Sequence, residues 1–190
     1  TDGKAGVRHL EKYLESSKFL WSDWKVIWIG ACALLRTSIS LFQVDKKSCI
    51  NERIREEISA EWDAIKNDRD EHSIFWEFLR KERNTILKQY EWSAYEMWMD
   101  EDGTIRPPVR MSLLSVKSKD AKSVLIMRSG HFKGRNSLEL LQESAGWVEE
   151  RIFGAIRRAG FDPDEKRNLA TFEKPPPLPS GGATLLGDVN

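Results

Sequence analysis

The stretch "FWEFLRKERNTILKQY", residues 75–90, decides how this chain is read, because apolar and charged residues recur along it at helical steps. Leu79, Arg83, Leu87 and Tyr90 fall four, four and three residues apart, so they share one face of a helix. Asn84 and Lys88 share a neighbouring face with Arg80. Burying an unpaired guanidinium costs on the order of several kcal/mol. An arginine on an apolar face therefore needs a reason. It either forms an internal salt bridge, for instance to an acid of the preceding helix, or serves a site.

Working outward, three more helices precede this one. The first is short, over residues 7–16. The second runs from a cap at Ser22 or Asp23 to about Phe42, with Trp24, Ile27, Trp28, Ala31, Leu35, Ser38, Ile39 and Phe42 as its buried stripe. The third, over residues 48–66, buries Ile50, Ile54, Ile58, Trp62 and Ile65. The fourth opens at Asp68, which Glu71 answers three residues later, and continues to about Met97 before "DEDG" and "RPP" stop it.

The pattern then changes. Residues 109–117 and 122–129 are short apolar or β-branched runs separated by the polar turn "SKDA", which predicts a two-stranded hairpin. A last helix follows, capped by Asn136 with Glu139 and stopped by Gly160. The tail from "FEKPPPLPSGG" onward lacks periodicity. The expected fold is mainly α: an antiparallel helical bundle with an appended β-hairpin and C-terminal helix. Three parts follow: a helical bundle over 1–100, the basic hairpin and last helix packed on it over 101–160, and a Pro/Gly-rich flexible tail over 161–190.

Composition narrows the class. Lys plus Arg and Asp plus Glu are both 30, so net charge points to no partner, while 40% hydrophobic residues with eight Trp and eight Phe supply a packed core. Cys32 and Cys49 have no metal-ligand spacing and suggest no disulfide framework, which fits a reducing cytoplasm. The longest apolar run, "VIWIGACALL" over residues 26–35, is half of the roughly 20 residues a membrane helix needs, so no membrane span is expected. The N-terminus carries no apolar signal region. Gly-rich phosphate loops, paired Cys motifs and nucleophile elbows are missing from the sequence, so neither cofactor nor metal is expected.

The Arg83–Asn84 pair in "FLRKERNTILKQY", preceded by a helix carrying "ACALLRTSISLF", resembles the HEPN superfamily over about residues 7–98. The resemblance implies a helical intracellular domain that acts as a homodimer, in a bacterial toxin, defence or regulatory setting. Many HEPN domains are metal-independent RNases in which the motif arginine is followed, four to six residues on, by histidine. Two subunits bring these residues together across a groove. Here the corresponding positions hold Lys88, Gln89 and Tyr90, and no histidine lies between His72 and His131. Imidazole suits proton transfer near neutrality, whereas lysine and tyrosine ordinarily stay protonated there. Arg83, Asn84, Lys88 and Tyr90 are thus the catalytic candidates of a motif that favours binding over cleavage. An RNase with a substitute acid or base, and a purely structural partner-binding module, are the alternatives.

A second feature is electrostatic. From Thr104 to Asn136 eight basic residues face Asp120 alone, a net of +7, while Asn51 to Glu71 carries a net of −4. Lys117, Lys119, Lys122, Arg128, His131, Lys133 and Arg135 are the candidate contacts to a nucleic-acid backbone. The same lysines and arginines also suit the edge of a sheet, where they discourage aggregation.

Overall fold

The computed structural model describes residues 2–15, 23–49, 51–89, 91–107 and 122–164. The chain is mainly helical with a small three-stranded antiparallel sheet. Helices α1 (Asp2–Glu15), α2 (Asp23–Asp45) and α3 (Glu52–Asn67) come first. A π turn (Ile74–Leu79) then runs without a break into α4 (Arg80–Gln89). Strands β1 (Ala94–Met99), β2 (Ile105–Arg106) and β3 (Lys122–Met127) follow, and α5 (Ser137–Arg158) ends the described chain apart from a short turn.

The helix starts follow from local chemistry. Asn51 caps α3 by accepting from the Ile54 amide at 3.2 Å. Asn136 caps α5 by accepting from Leu138 at 2.9 Å and Glu139 at 3.4 Å, and its amide reaches Glu139 at 3.3 Å. Gly160, at φ 88°, closes α5 as expected. Asp68 takes the Glu71 amide at 3.0 Å, but a turn intervenes before the fourth helix begins.

Where the periodicity of the fourth helix was extended to Met97, the structure has a strand. The helix ends at Gln89, and Ala94–Met99 forms the centre of a sheet ordered β2-β1-β3. "AYEMWM" holds two aromatic residues, which suit a pleated surface as well as a helix. β3 pairs antiparallel with β1 from Ala94 opposite Met127 to Met99 opposite Lys122. The other expected strand, over residues 109–117, lies outside the described residues, as does the tail from residue 165 on. Because β1 precedes residue 100 and β3 follows it, the sheet joins the two parts of the chain.

One core runs through both parts. Trp28, Cys32, Leu35 and Ile39 of α2 meet Phe75, Phe78 and Leu79 of the π turn, Leu125 and Met127 of β3, and Leu140 and Leu141 of α5. Trp28 lies edge-on to Phe78 at 5.7 Å, and Trp147 of α5 stacks on Phe75 at 6.0 Å. α1 lies close against α2: a Cβ on Gly3 would stand 2.7 Å from Leu35, and one on Gly6 would stand 3.4 Å from Ala31. α5 packs on α1, α2 and α3. At the α3 contact the buried carboxylate of Glu61 receives Arg151 at 3.1 Å and also pairs with Arg158, whose Nε reaches Glu57 at 2.7 Å. These carboxylates push the Arg158 guanidinium above its ordinary pKa, with the Glu57 hydrogen bond as the largest cause.

α2 also has an outer side. Its segment Trp24–Asp45 is long and apolar enough, by length and composition, to cross a bilayer. Trp24, Trp28, Ala31, Cys32, Leu35 and Ile39 nevertheless pack into the core, while Val26, Leu34, Leu41 and Val44 face outward. The apolar run read from the sequence stopped at Arg36. The longer window continues past it, because the helix carries acids only at its two ends.

One buried acid ties the helices to the sheet. Glu82 is 2% exposed and accepts from the Trp28 indole at 2.9 Å and from the Ser93 amide at 3.2 Å. Replacing Glu82 with Ala leaves both donors without their acceptor, and buried unsatisfied donors cost roughly 1–3 kcal/mol each. Urea unfolding is expected to show a loss of about 3 kcal/mol or more for Glu82→Ala. Glu82→Gln, which keeps an acceptor oxygen, is expected to lose less than half as much. Equal stability of Glu82→Ala and the parent chain would contradict this arrangement.

Candidate functional site

The fourth helix presents its core face through Phe75, Phe78, Leu79, Glu82 and Ile86, all buried. The π turn supports this register, since the Arg80 amide reaches back five residues to the Phe75 carbonyl. Arg83 therefore sits one residue off the buried stripe and is half-buried, as is Asn84. The residue that occupies the core face is Glu82. Glu61, the buried acid of α3, pairs with Arg151 and Arg158 of α5.

Arg83 donates from Nη1 to the Asn84 side-chain oxygen at 3.1 Å. Among the described residues it forms no salt bridge. The acids of its own helix are engaged elsewhere, Glu77 with Lys81 and Glu82 with Trp28 and Ser93. Across the α2–α4 contact lies Arg36, in the middle of α2. Its pKa is lowered, first by desolvation and then by the charges of Arg83 and Arg80. The Arg36 Nε–H is buried with no hydrogen-bond partner among the described residues. Arg80 stacks on the Trp76 ring at 4.9 Å, where Arg69 also lies at 4.7 Å.

Arg36 thus feels the charges of Arg83 and Arg80 across the contact between two packed helices, and none of the three forms a salt bridge among the described residues. Such a group repels itself, and an anion relieves the repulsion. Planar arginine forks suit phosphate or carboxylate oxygens, and Asn84 holds one fork in place. The sequence singled out Arg83 and Asn84. It passed over Arg36, whose only signal was its position as a lone cation closing the apolar run of α2.

The remaining catalytic candidates are not gathered here in a form suited to proton transfer. Lys88 is exposed in the last turn of α4, and Tyr90 lies outside the described residues. His72 is 3% exposed and lies edge-on to Trp147 at 5.8 Å, within the core. Cys32 is buried too, and burial, with Glu82 nearby, raises its pKa well above the ordinary thiol value.

The basic segment is described in part. Lys117 and Lys119 lie outside the described residues. Lys122 is exposed at the start of β3, and Arg128, His131 and Lys133 are exposed beyond its end. The loop that carries them is held by hydrogen bonds from Arg128 to the Ser93 carbonyl at 2.6 Å and from Gly134 to the Met127 carbonyl at 2.8 Å. Gly130 and Gly134 both have positive φ, 83° and 85°, so the turn needs residues without Cβ. Phe132 is buried against Phe78 at 6.2 Å, which fastens the loop over the π turn. His131 leans edge-on against Phe132 at 4.7 Å, and Arg135 pairs with Glu143 at 3.0 Å. The first amides of α5 are taken by Asn136, so an anion at that helix start would compete with the cap. A separate groove of about 370 Å³ on α5, lined by Glu149, Glu150, Phe153 and Arg157, is mixed in charge and gathers no catalytic constellation.

No family model, curated protein or solved structure matches this chain.

An arginine without an acidic partner contributes little to folding, so Arg83→Ala is expected to change unfolding free energy by under about 1 kcal/mol. Arg36→Met, which keeps the buried stem and removes one of three like charges, is expected to raise the thermal midpoint. A large destabilisation by Arg83→Ala would mean that the guanidinium is part of a structural ion pair after all.

Proposed function

We propose that this protein is a HEPN-like intracellular homodimer that binds RNA or a nucleotide and lacks the standard RNase activity. The single observation that supports it most is that Arg36, Arg80 and Arg83 form no salt bridge among the described residues, while the charges of the latter two act on Arg36 and Asn84 holds Arg83. Lys122 at the start of β3, and Arg128 and Lys133 beyond its opposite end, add exposed positive charge at the two ends of the strand, and His131 is exposed beside them in the following loop. An antiparallel arrangement of the four N-terminal helices, with the sheet and α5 against it, belongs to the same proposal. Two free cysteines, one fully buried, suit a reducing cytoplasm. A bacterial toxin, defence or regulatory role follows only from the family resemblance.

The dimer proposal draws on α2. Val26, Leu34, Leu41 and Val44 are 71%, 41%, 53% and 56% exposed, and their spacing places them on one helix face. Gly30 and Thr37 lie between them on that face, and a Cβ at Gly30 would meet nothing within 4 Å. An apolar stripe with small residues and no acid can pack against its own copy about a two-fold axis. Light scattering should give twice the 22.0 kDa chain mass. Val26→Asp with Leu41→Asp should give the single-chain mass. A parent chain that stays monomeric at tens of micromolar, on the order of concentrations at which obligate dimers persist, contradicts the dimer.

Binding should weaken with salt, because each neutralised phosphate of a single strand contributes about −0.7 to the slope of log affinity against log salt. Replacing Arg83 with Gln should lower affinity and flatten that slope. RNA binding that is unchanged by Arg83→Gln would count against the cluster as the binding site.

Cleavage is expected to be absent or very weak. Attack of a ribose 2′-hydroxyl on its phosphate needs a base and an acid, each contributing roughly 10²–10⁴-fold. Arginine stays protonated and asparagine exchanges no useful proton. Total RNA incubated with the purified protein in chelator should yield no fragments ending in cyclic phosphate. Robust cleavage lost in Lys88→Ala, Tyr90→Phe or His131→Ala would establish the RNase alternative.

A further inference from the structure

The small sheet has an outer face whose chemistry deepens the RNA reading above, on which this inference rests. Residues paired across antiparallel strands lie on the same side of the sheet, so the register sorts β1 and β3 into two faces. Ala94 and Glu96, with their partners Met127 and Leu125, share the inner face, where Ala94, Leu125 and Met127 join the core. Tyr95 stands opposite Ile126 on the outer face. The Arg128 amide continues the ladder, donating to the Ser93 carbonyl at 2.6 Å. Arg128 therefore falls on the outer face too, two residues along from the partner of Tyr95. Positions on that diagonal lie about 7–8 Å apart, within reach of aromatic and long side chains.

Tyr95 is 37% exposed, and its ring meets no other ring and no cation among the described residues. Arg128 is exposed and forms no salt bridge among the described residues. The sole acid of the three strands, Glu96, is turned to the inner face, where it accepts from Ser123 at 2.9 Å and from Trp98 at 3.3 Å. The acidic turn that starts at Asp100 lies beyond the other end of β1, roughly 17 Å along the strand from Tyr95. This end of the sheet carries exposed Lys133 as well as Arg128, against exposed Glu91 ahead of β1.

An open aromatic ring beside an unpaired guanidinium suits an unstacked base and its neighbouring phosphate. A duplex keeps its bases stacked on one another and offers such a ring nothing to stack on. We infer that single-stranded RNA crosses the outer face of the sheet at its Ser93 end, with one base stacked on Tyr95 and an adjacent phosphate held by Arg128.

The test uses the full chain, a short RNA without self-complementarity, and the same RNA annealed to its complement. Fluorescence anisotropy at a fixed salt concentration reads the affinities. The single strand should bind at least about tenfold more tightly than the duplex, and Tyr95→Ala should remove about tenfold of single-strand affinity. Tyr95→Phe keeps the ring and should bind like the parent. Arg128→Gln, at an exposed position, should reduce the slope of log affinity against log salt by about 0.7, the share of one phosphate. Single-strand binding unchanged in both Tyr95→Ala and Arg128→Gln overturns the sheet contact and leaves the RNA reading standing. Equal affinity for strand and duplex overturns the stacking. A parent chain that binds no RNA overturns the inference together with the RNA reading.

Discussion

The carboxylate of Glu82 is the contact on which the rest of the arrangement turns. It is buried between α2, α4 and the chain entering β1, and accepts from the Trp28 indole and the Ser93 amide. Both donors are neutral, so the acid serves as a polar hub rather than half of an ion pair. Such a hub fixes how α4 is rotated against α2, because moving the carboxylate by one residue would leave the indole N–H unsatisfied in the core. With Glu82 turned inward, Arg83 is carried to the side of the helix, half-buried and donating to Asn84. The π turn before it keeps Phe75, Phe78 and Leu79 in the core as the helix rotates.

The fold leaves the guanidiniums of Arg36, Arg80 and Arg83 without salt bridges among the described residues, and only the Arg36 Nε–H is buried without a hydrogen-bond partner. Arg36 and Arg83 are half-buried and Arg80 is exposed against the Trp76 ring, so solvent screens much of their repulsion. Elsewhere the fold treats arginine differently. Arg151 and Arg158 meet Glu57 and Glu61 at the contact between α3 and α5, where opposite charges are matched. A chain that pairs its arginines at one helix contact and leaves them unmatched at another distinguishes structural from available positive charge.

Much of this was legible in the sequence, and the remainder failed for identifiable reasons. The helices came from their three- and four-residue apolar steps, and α5 was marked at both ends by Asn136, Glu139 and Gly160. The strand Ala94–Met99 was hidden because its apolar residues also continue a helical pattern, and only pairing with β3 selects the strand. The buried face of α4 lies one residue from the one its apolar steps suggest. Leucines and a tyrosine at 79, 87 and 90 drew the stripe through Arg83, whereas the core accepted Glu82 because Trp28 and Ser93 satisfy it. Arg36 could be placed only once α2 and α4 were known to touch, since no local pattern links residues that far apart. Lys117, Lys119 and Tyr90 remain sequence readings alone.

The most direct measurement of the anion-binding claim is side-chain NMR of the arginine Nε–H groups during titration with AMP or an end-phosphorylated RNA. The account predicts that the signals of Arg36, Arg80 and Arg83 shift together and saturate at one concentration, while those of Arg151 and Arg158 stay in place. Shifts confined to exposed arginines outside the cluster, with Arg36 and Arg83 unmoved at saturation, would contradict it.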